Sequence, residues 1–322
     1  MRKPIAGIHH VTALASDPQA NVDFYTGVLG LRLVKKTVNF DDPGTYHLYY
    51  GDEVGHPGTI MTFFPWPMAR RGVQGAGQAT VTSFSVPQGS LGYWTERLGS
   101  LGIAFEDPRP RLDEEVLTLL DPDGLRLELV ARAEADGRPA WDGGGVPAEY
   151  AVRGFEGVTL TEWNPEVTLQ VLTGTMGFRQ VAEERDRIRL ETGSGGHGAR
   201  VDVLASPSAP RGHISAGTVH HVAWRAADER DQLAWREAVA EAGLHVTPVL
   251  DRQYFQSIYF REPGGVLFEI ATDPPGFTRD ETVESLGSGL KLPPWLEANR
   301  ERIESILPPL EVREVAPAGG AS

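Results

Sequence analysis

Apolar and polar positions along the chain repeat one order of elements four times. Each repeat opens with an alternating, strand-like run and continues with a helix-like stretch that stops at a glycine; three short strand-like runs follow. The opening runs are IHHVTAL, VTSFSV, FEGVTLT and VHHVAWR, and the closing runs are GTIMTFF, GLRLELV, GARVDVL and GVLFEIA. The pattern predicts four βαβββ modules and an α+β fold.

The spacing within the repeats is nearly constant. From the opening residue of each module to its helix-ending glycine there are 20, 20, 20 and 22 residues, in the pairs His10 and Gly30, Thr82 and Gly102, Gly157 and Gly177, His221 and Gly243. Glycine suits the left-handed conformation in which many helices end. The equivalent positions on the closing strands are Thr62, Glu128, Asp202 and Glu269. Each module therefore has one marked position on its first strand and one on its last.

The chain is expected to divide at a glycine-rich linker. Residues 135–150 contain the run DGGG and separate modules one and two, in residues 1–134, from modules three and four, in residues 151–273. Residues 274–322 lose the pattern and predict a loop followed by one helix from about Pro294 to Ile306. The prediction is two barrel-like units of two modules each, with a helical tail packed on them.

The amino-acid composition limits which binding partners, locations and metal sites are expected. A net charge of -14 argues against nucleic acid and anionic membranes. No apolar run approaches the roughly 18 residues of a spanning helix, and the N-terminus lacks a signal pattern, so a cytoplasmic location is expected. The absence of cysteine excludes disulfides, thiolate metal sites and a cysteine nucleophile.

Three polar positions stand out on the first and fourth modules. Alternation along the strands places His10 on one face and His9 on the other, and likewise His221 opposite His220. Glu269 points away from its apolar neighbours in the closing strand. If the apolar faces take the helices, His10, His221 and Glu269 line the concave face. A single histidine in a strand is usually a core or surface residue, but recurrence at equivalent positions favours a metal site.

The repeat also predicts which modules meet. Only the pairing of module one with module four brings two histidines and a carboxylate together, with Thr62 beside them. Two imidazoles and one carboxylate form the facial set that Fe(II) uses in oxygenases, with the opposite positions open. We therefore predict one metal ion per chain, between modules one and four.

Further candidates surround this set. Tyr259 lies ten residues before Glu269 across a Pro-Gly-Gly turn, which places it on the neighbouring strand. Arg252 lies seven residues earlier and is suited to neutralise an anion; a surface or interdomain role is the alternative for both residues. His9 and His220 either orient the ligands from behind or are simply buried at an interface.

These motifs resemble the vicinal-oxygen-chelate superfamily, which includes glyoxalases, bleomycin-resistance proteins and extradiol dioxygenases. IYFREPGGVLFE resembles the closing half of the extradiol signature, although Arg252 stands where catechol-cleaving members have a histidine. HHVT, HHVAW and LGSGLKLPPWLE are more similar to the hydroquinone-cleaving branch. That resemblance implies Fe(II), or alternatively Mn(II), on the three predicted ligands; the residues around the substrate are then His9, Thr12, His220, Arg252 and Tyr259.

The implied function is dioxygenase cleavage of a small aromatic diol by O₂. One alternative is a glyoxalase-like lyase or isomerase, which generally needs a second acidic ligand where this chain has Thr62. Another alternative is a non-catalytic protein that binds a quinone or a drug. The resemblance also allows a homodimer, because dimers are common with this fold.

Overall fold

The structure, a computed structural model, describes residues 2–313 and contains the predicted order of elements in every module. Module one consists of β1 (Ile8–Ala15), α1 (Pro18–Val22), β2 (Arg32–Val38), β3 (Tyr46–Gly51) and β4 (Ile60–Pro65). Module two consists of β5 (Gln78–Val86), α2 (Leu91–Ser100), β6 (Phe105–Arg111), β7 (Glu114–Leu120) and β8 (Arg126–Arg132). Module three consists of β9 (Gly154–Glu162), α3 (Pro165–Gln170), β10 (Arg179–Glu184), β11 (Arg187–Glu191) and β12 (Arg200–Ala205). Module four consists of β13 (Val219–Ala226), α4 (Glu229–Glu241), β14 (Leu250–Asp251), β15 (Phe255–Arg261) and β16 (Leu267–Pro275).

Local chemistry sets the helix ends. The side chain of Asp17 accepts hydrogen bonds from the backbone N–H groups of Gln19 and Ala20 and so caps α1. A π-helical turn continues α1 over Asp23–Val28, and another continues α3 over Val171–Thr175. The four predicted helix-ending glycines all have left-handed backbone, with φ of 70°, 68°, 76° and 79° at Gly30, Gly102, Gly177 and Gly243. The predicted helix ends are therefore confirmed.

The strands form two eight-stranded sheets. The first sheet has the order β14-β15-β16-β13-β1-β4-β3-β2 and combines modules four and one. The second has the order β10-β11-β12-β9-β5-β8-β7-β6 and combines modules three and two. Antiparallel pairing of β1 with β13, and of β5 with β9, joins the modules at the centre of each sheet. The predicted meeting of modules one and four is confirmed.

The two sheets do not follow the division of the sequence at residues 135–150. Each sheet takes one module from either side of this segment, which contains neither helix nor strand. Arg138 fixes the segment across the modules, because its guanidinium donates to the carbonyl oxygens of Gly58 (3.1 Å) and Phe155 (2.7 Å). The boundary therefore divides the chain in sequence, while the sheets are built across it.

Helices and strands share one large apolar core. Trp94 of α2 and Trp235 of α4 are buried against the sheets. Trp224 of β13 packs edge-on against Phe268 of β16, with ring centroids 5.5 Å apart. Because this face of each sheet is filled by apolar side chains, the polar positions of β1, β13 and β16 are left for the opposite, concave face.

The C-terminal segment packs on module one but begins its helix later than predicted. The helix α5 spans Arg300–Ile306, after a 3-10 turn at Glu297–Asn299. The N–H groups of Leu296 and Asn299 bond the carbonyls three residues back, so the α-helical ladder starts only at Arg300. Residues 314–322 of the predicted tail lie outside the described residues. No helix within residues 2–313 is long and apolar enough to cross a membrane.

Candidate metal centre and active-site cavity

The three predicted ligands converge at the centre of the first sheet. His10 of β1 is in register with Ala223 of β13, and Ala223 is in register with Glu269 of β16. Nε2 of His10 lies 3.2 Å from Nε2 of His221 and 3.3 Å from Oε2 of Glu269, and Nε2 of His221 lies 2.9 Å from the same oxygen. All three side chains are buried. The fold therefore places His10 beside His221 and Glu269, which follow it by more than two hundred residues in the sequence.

His9 fixes which nitrogen of His10 is free. Burial, reinforced by His10, holds the pKa of His9 well below its usual range, so its ring is neutral. Nε2 of His9 lies 3.1 Å from the carbonyl oxygen of Thr272, which can only accept, so Nε2 carries the proton. Nδ1 of His9 must then accept from Nδ1–H of His10, 2.9 Å away. Nε2 of His10 is left with a lone pair that faces Glu269.

His220 stands in the same relation to His221. The two Nδ1 atoms are 2.7 Å apart. Burial and the neighbouring His221 lower the pKa of His220 to about 3, so this ring is also neutral. If His221 donates through Nδ1, its Nε2 lone pair is free and Nε2–H of His220 is available in the cavity that both residues line.

The predicted separation of the paired histidines onto opposite faces is wrong at His9 and His220. The pairing of β1 with β13 slips by one residue between Ile8 and His10 and again between Thr12 and Ala13. Each slip is a β-bulge whose extra residue is the first histidine of the pair. A bulge interrupts strict alternation and re-aims a side chain, so each of these histidines reaches its neighbour.

Glu269 is held with one oxygen toward the histidines. The Ser257 hydroxyl donates to Oε1 at 2.5 Å. Burial alone would raise the pKa of Glu269, but positive charge at the facing His10 and His221 lowers it well below its usual range, and a cation held between neutral rings would have the same effect. Oε2 is buried and has no hydrogen bond of normal geometry to any described residue, although His221 is close. This oxygen is therefore available to a cation.

The donor set fits a divalent transition metal. Two imidazole lone pairs and a carboxylate oxygen, 2.9–3.3 Å apart, would repel one another without positive charge between them. Bonds of about 2.1 Å at right angles would separate neighbouring ligand atoms by about 3 Å. The spacing and the chemistry of the three donors thus suit one ion with part of its coordination sphere open.

A cavity of about 430 Å³ opens beside these donors. His10, His221 and His220 line it together with six aromatic residues: Phe40, Tyr49, Phe64, Trp66, Phe255 and Tyr259. A concave, mostly aromatic wall with a few convergent polar groups is the usual form of a small-molecule site. Its size and lining suit a flat aromatic ring.

Tyr259 and Arg252 lie where the sequence predicted them, on the wall of this cavity. Tyr259 is directly opposite Glu269 in the register of β15 and β16. Burial and the nearby Glu269 raise the pKa of Tyr259, so its hydroxyl stays protonated. Nε of Arg252 donates to that hydroxyl at 3.3 Å. The pair therefore presents an O–H group and a fixed positive charge to a ligand.

Thr12 is linked to the cavity only through Thr62, which was predicted beside the ligands, and through His47 and Tyr49, which were not. Its hydroxyl lies 3.0 Å from that of Thr62, which lies 2.8 Å from Nε2 of His47, and Nδ1 of His47 lies 2.8 Å from the Tyr49 hydroxyl. His47 and Tyr49 line the cavity, whereas Thr12 does not. The sequence signal that could have identified them is the alternation of His47 and Tyr49 around Leu48 in the YHLYY run of β3. Thr62 is engaged on both sides and supplies no carboxylate.

The second sheet uses the equivalent positions differently. Arg111 donates to Glu128 at 2.8 Å, and Arg189 donates to Asp202 at 2.7 Å. Glu114 accepts from both arginines, at 2.7 Å each. Guanidinium groups thus occupy the space that is open in the first sheet, and the cavity here is only about 10 Å³.

Comparison with known proteins agrees with this architecture. A protein of Bacillus subtilis (strain 168) named "Putative ring-cleaving dioxygenase MhqO" is 50% identical over 315 residues, which cover 98% of this chain and 100% of that protein. The chlorohydroquinone/hydroquinone 1,2-dioxygenase of Sphingobium indicum is 36% identical over 308 residues, covering 93% and 95%. A crystal structure described as a "putative dioxygenase" from Bacillus subtilis subsp. subtilis str. 168 superposes with a TM-score of 0.91 at 49% identity, covering 97% of this chain and 100% of that chain.

A family model accounts for both halves of the chain. It matches residues 7–129 and 158–270, which contain β1, β5 and β13, residues 158–162 of β9 and all three candidate ligands. The superfamily resemblance that the HHV and EPGG motifs carry is thereby confirmed. The chain belongs to the Glyoxalase/Bleomycin resistance protein/Dioxygenase superfamily.

Proposed function

We propose that this chain is an Fe(II)-dependent, extradiol-type dioxygenase that opens the ring of a hydroquinone or related aromatic diol and inserts both atoms of O₂. The observation that carries the proposal is the convergence of His10, His221 and Glu269 beside an aromatic cavity of about 430 Å³. The names of the relatives support the reaction class, since they include a hydroquinone 1,2-dioxygenase. Mn(II) is the alternative ion for the same donors.

The metal ion and the protein side chains would have separate roles in the reaction. When bound, Fe(II) would hold a ring hydroxyl and O₂ together and provide a path for electrons between them. The side chains do the rest: the aromatic wall orients the ring, and Nε2–H of His220 and the Tyr259 hydroxyl donate hydrogen bonds to oxygen atoms that gain charge. Arg252 stabilises the same charge through the Tyr259 hydroxyl.

Oxygen consumption tests this proposal directly. Protein loaded anaerobically with iron should consume O₂ with hydroquinone or methylhydroquinone and give a ring-opened product that contains both ¹⁸O atoms from ¹⁸O₂. Catechol should be a poorer substrate. Absence of oxygen uptake with every diol, together with anaerobic activity of nickel- or zinc-loaded protein on a hemithioacetal, would instead establish the lyase.

Replacing Tyr259 by phenylalanine should lower kcat by about a hundredfold with little change in bound iron. The hydroxyl would donate a hydrogen bond to an oxygen atom that gains charge, and removal of one such donor typically costs about a hundredfold or more in kcat. Steady-state oxygen uptake and iron analysis check the result. Tyr254→Phe is the matched control, because the Tyr254 hydroxyl donates to Asp280 at 3.0 Å behind the cavity wall. Equal losses in both variants would contradict a catalytic role for Tyr259.

A further inference from the structure

A loop of module one closes the mouth of the cavity. Residues 39–45 connect β2 to β3, and Asn39, Phe40 and Asp41 line the cavity from this side. The loop is tied across the opening, because Nε1 of Trp66 donates to Asp42 at 3.0 Å. Phe40 also packs edge-on against Trp295 of the C-terminal segment, with ring centroids 5.6 Å apart. These contacts anchor the two residues that flank Asp41.

Asp41 is paired with Arg252, the one arginine that residues 2–313 place on the cavity wall. Nη1 of Arg252 donates to Oδ2 of Asp41 at 3.0 Å, while its Nε holds the Tyr259 hydroxyl. The Asp41 side chain is 76% exposed at the mouth, whereas that of Arg252 is 20% exposed. The arginine therefore faces the substrate space with its charge already compensated from outside.

An anionic substituent of a ring bound in the cavity would compete with Asp41 for Arg252. A carboxylate prefers a two-pronged contact with a guanidinium group. Here one terminal nitrogen of Arg252 is already engaged by Asp41. A carboxylated ring would also meet the negative charge of Asp41 directly, and like charges that are brought together oppose binding. An uncharged ring meets neither obstacle.

We propose that Asp41 determines the charge of the substrate: its ion pair with Arg252 excludes hydroquinones that carry a carboxylate and admits uncharged ones. This inference rests on the proposed ring-cleaving function and narrows its substrate class. Asp41 acts by occupying Arg252, so it is a specificity-determining residue rather than a catalytic one.

Two rings that differ in one substituent test the proposal. The metal-loaded protein is titrated anaerobically with methylhydroquinone and with 2,5-dihydroxybenzoate, and binding is followed by tryptophan fluorescence, since Trp66 lines the cavity. The wild type should prefer methylhydroquinone. Asp41→Asn should shift the ratio of the two dissociation constants by about tenfold toward the carboxylated ring, which corresponds to about 1.4 kcal/mol. The ratio of kcat/KM values for oxygen uptake should move in the same direction.

Two further variants show how the shift arises. Asp42→Asn removes the same charge from the same loop, but Asp42 has no hydrogen bond to Arg252, and the amide oxygen of asparagine can still accept from Trp66, so the ratio should stay near that of the wild type. In an Arg252→Gln background, Asp41→Asn should shift the ratio by much less than tenfold, because only the direct repulsion between Asp41 and the carboxylate is left to remove. Asp41→Ser repeats the charge removal with a different side chain and should reproduce the shift.

The outcomes separate this inference from the proposed function. An unchanged ratio in both Asp41 variants, or an equal shift in Asp42→Asn, would overturn the inference. If the binding ratio shifts as expected but methylhydroquinone supports no oxygen uptake, the charge preference stands and the ring-cleaving function fails. Failure of the wild type to bind either ring would overturn both.

Discussion

Replacement of Glu269 by glutamine should leave a folded protein that has lost its metal ion and its ring-cleaving activity. The exchange keeps the size of the side chain but removes the negative charge between two imidazoles. Loss of a hydrogen-bonding partner behind a metal ligand typically costs 10- to 100-fold, and a direct ligand should cost more, so activity should fall by more than about a hundredfold. Metal analysis after dialysis and oxygen uptake measure the two losses.

The repeat supplies a matched control for this experiment. Glu128 is the equivalent residue of β8 in the second sheet, where it accepts from Arg111 instead of facing histidines. Glu128→Gln should therefore retain the metal ion, whatever it costs in stability. Retention of full metal content and turnover by Glu269→Gln would refute the assignment of this carboxylate as a ligand. Circular dichroism of both variants confirms that each one is folded.

Replacement of Glu114 by glutamine should reduce the free energy of unfolding by about 3 kcal/mol. The Glu114 side chain is fully buried and accepts hydrogen bonds from Arg111 and Arg189. Removing its charge leaves two buried guanidinium groups with less compensation, and an uncompensated buried charge is among the most destabilising changes. The loss should stay at the lower end of the usual range because Glu128 and Asp202 remain. Denaturant unfolding at pH 7 measures it.

Glu115 provides the comparison for this stability measurement. It is the next residue of β7, and its side chain is exposed, so Glu115→Gln should change the free energy of unfolding by less than about 0.5 kcal/mol. Iron content should be unaffected by either substitution, because both residues lie in the second sheet. Equal stabilities for Glu114→Gln and the wild type would show that the arginine cluster does not stabilise the fold.

Much of the fold could be predicted because its signals are local. The order of elements in each module follows from alternation and turn residues, and Gly30 and its three equivalents end their helices in the conformation that glycine favours. The late start of α5 could not be predicted. A 3-10 turn and an α-helix differ in backbone hydrogen bonding, and the same amino-acid types can form either one. The register slips that re-aim His9 and His220 depend on how β1 meets β13, which no single strand encodes.

The candidate site also contains some residues that the sequence predicts and others that only the structure reveals. The repeat alone identified His10, His221 and Glu269, because equivalent positions in related modules stand out even without coordinates. His47 and Tyr49 have no such counterpart, and they belong to the site only because β3 lies two strands from β1 in the first sheet.

The sequence by itself determined the modules, the candidate ligands and the lack of any thiolate ligand, because periodicity and composition are properties of short segments. Only the tertiary structure decided which atoms of those residues face one another. Antiparallel pairing of β1 with β13 brings distant strands within hydrogen-bonding distance, and their bulges aim Nδ1 of His9 and of His220 at the candidate ligands His10 and His221. Contacts of this kind arise from pairing between strands far apart in sequence, so the physical information that fixes them does not lie in either strand alone.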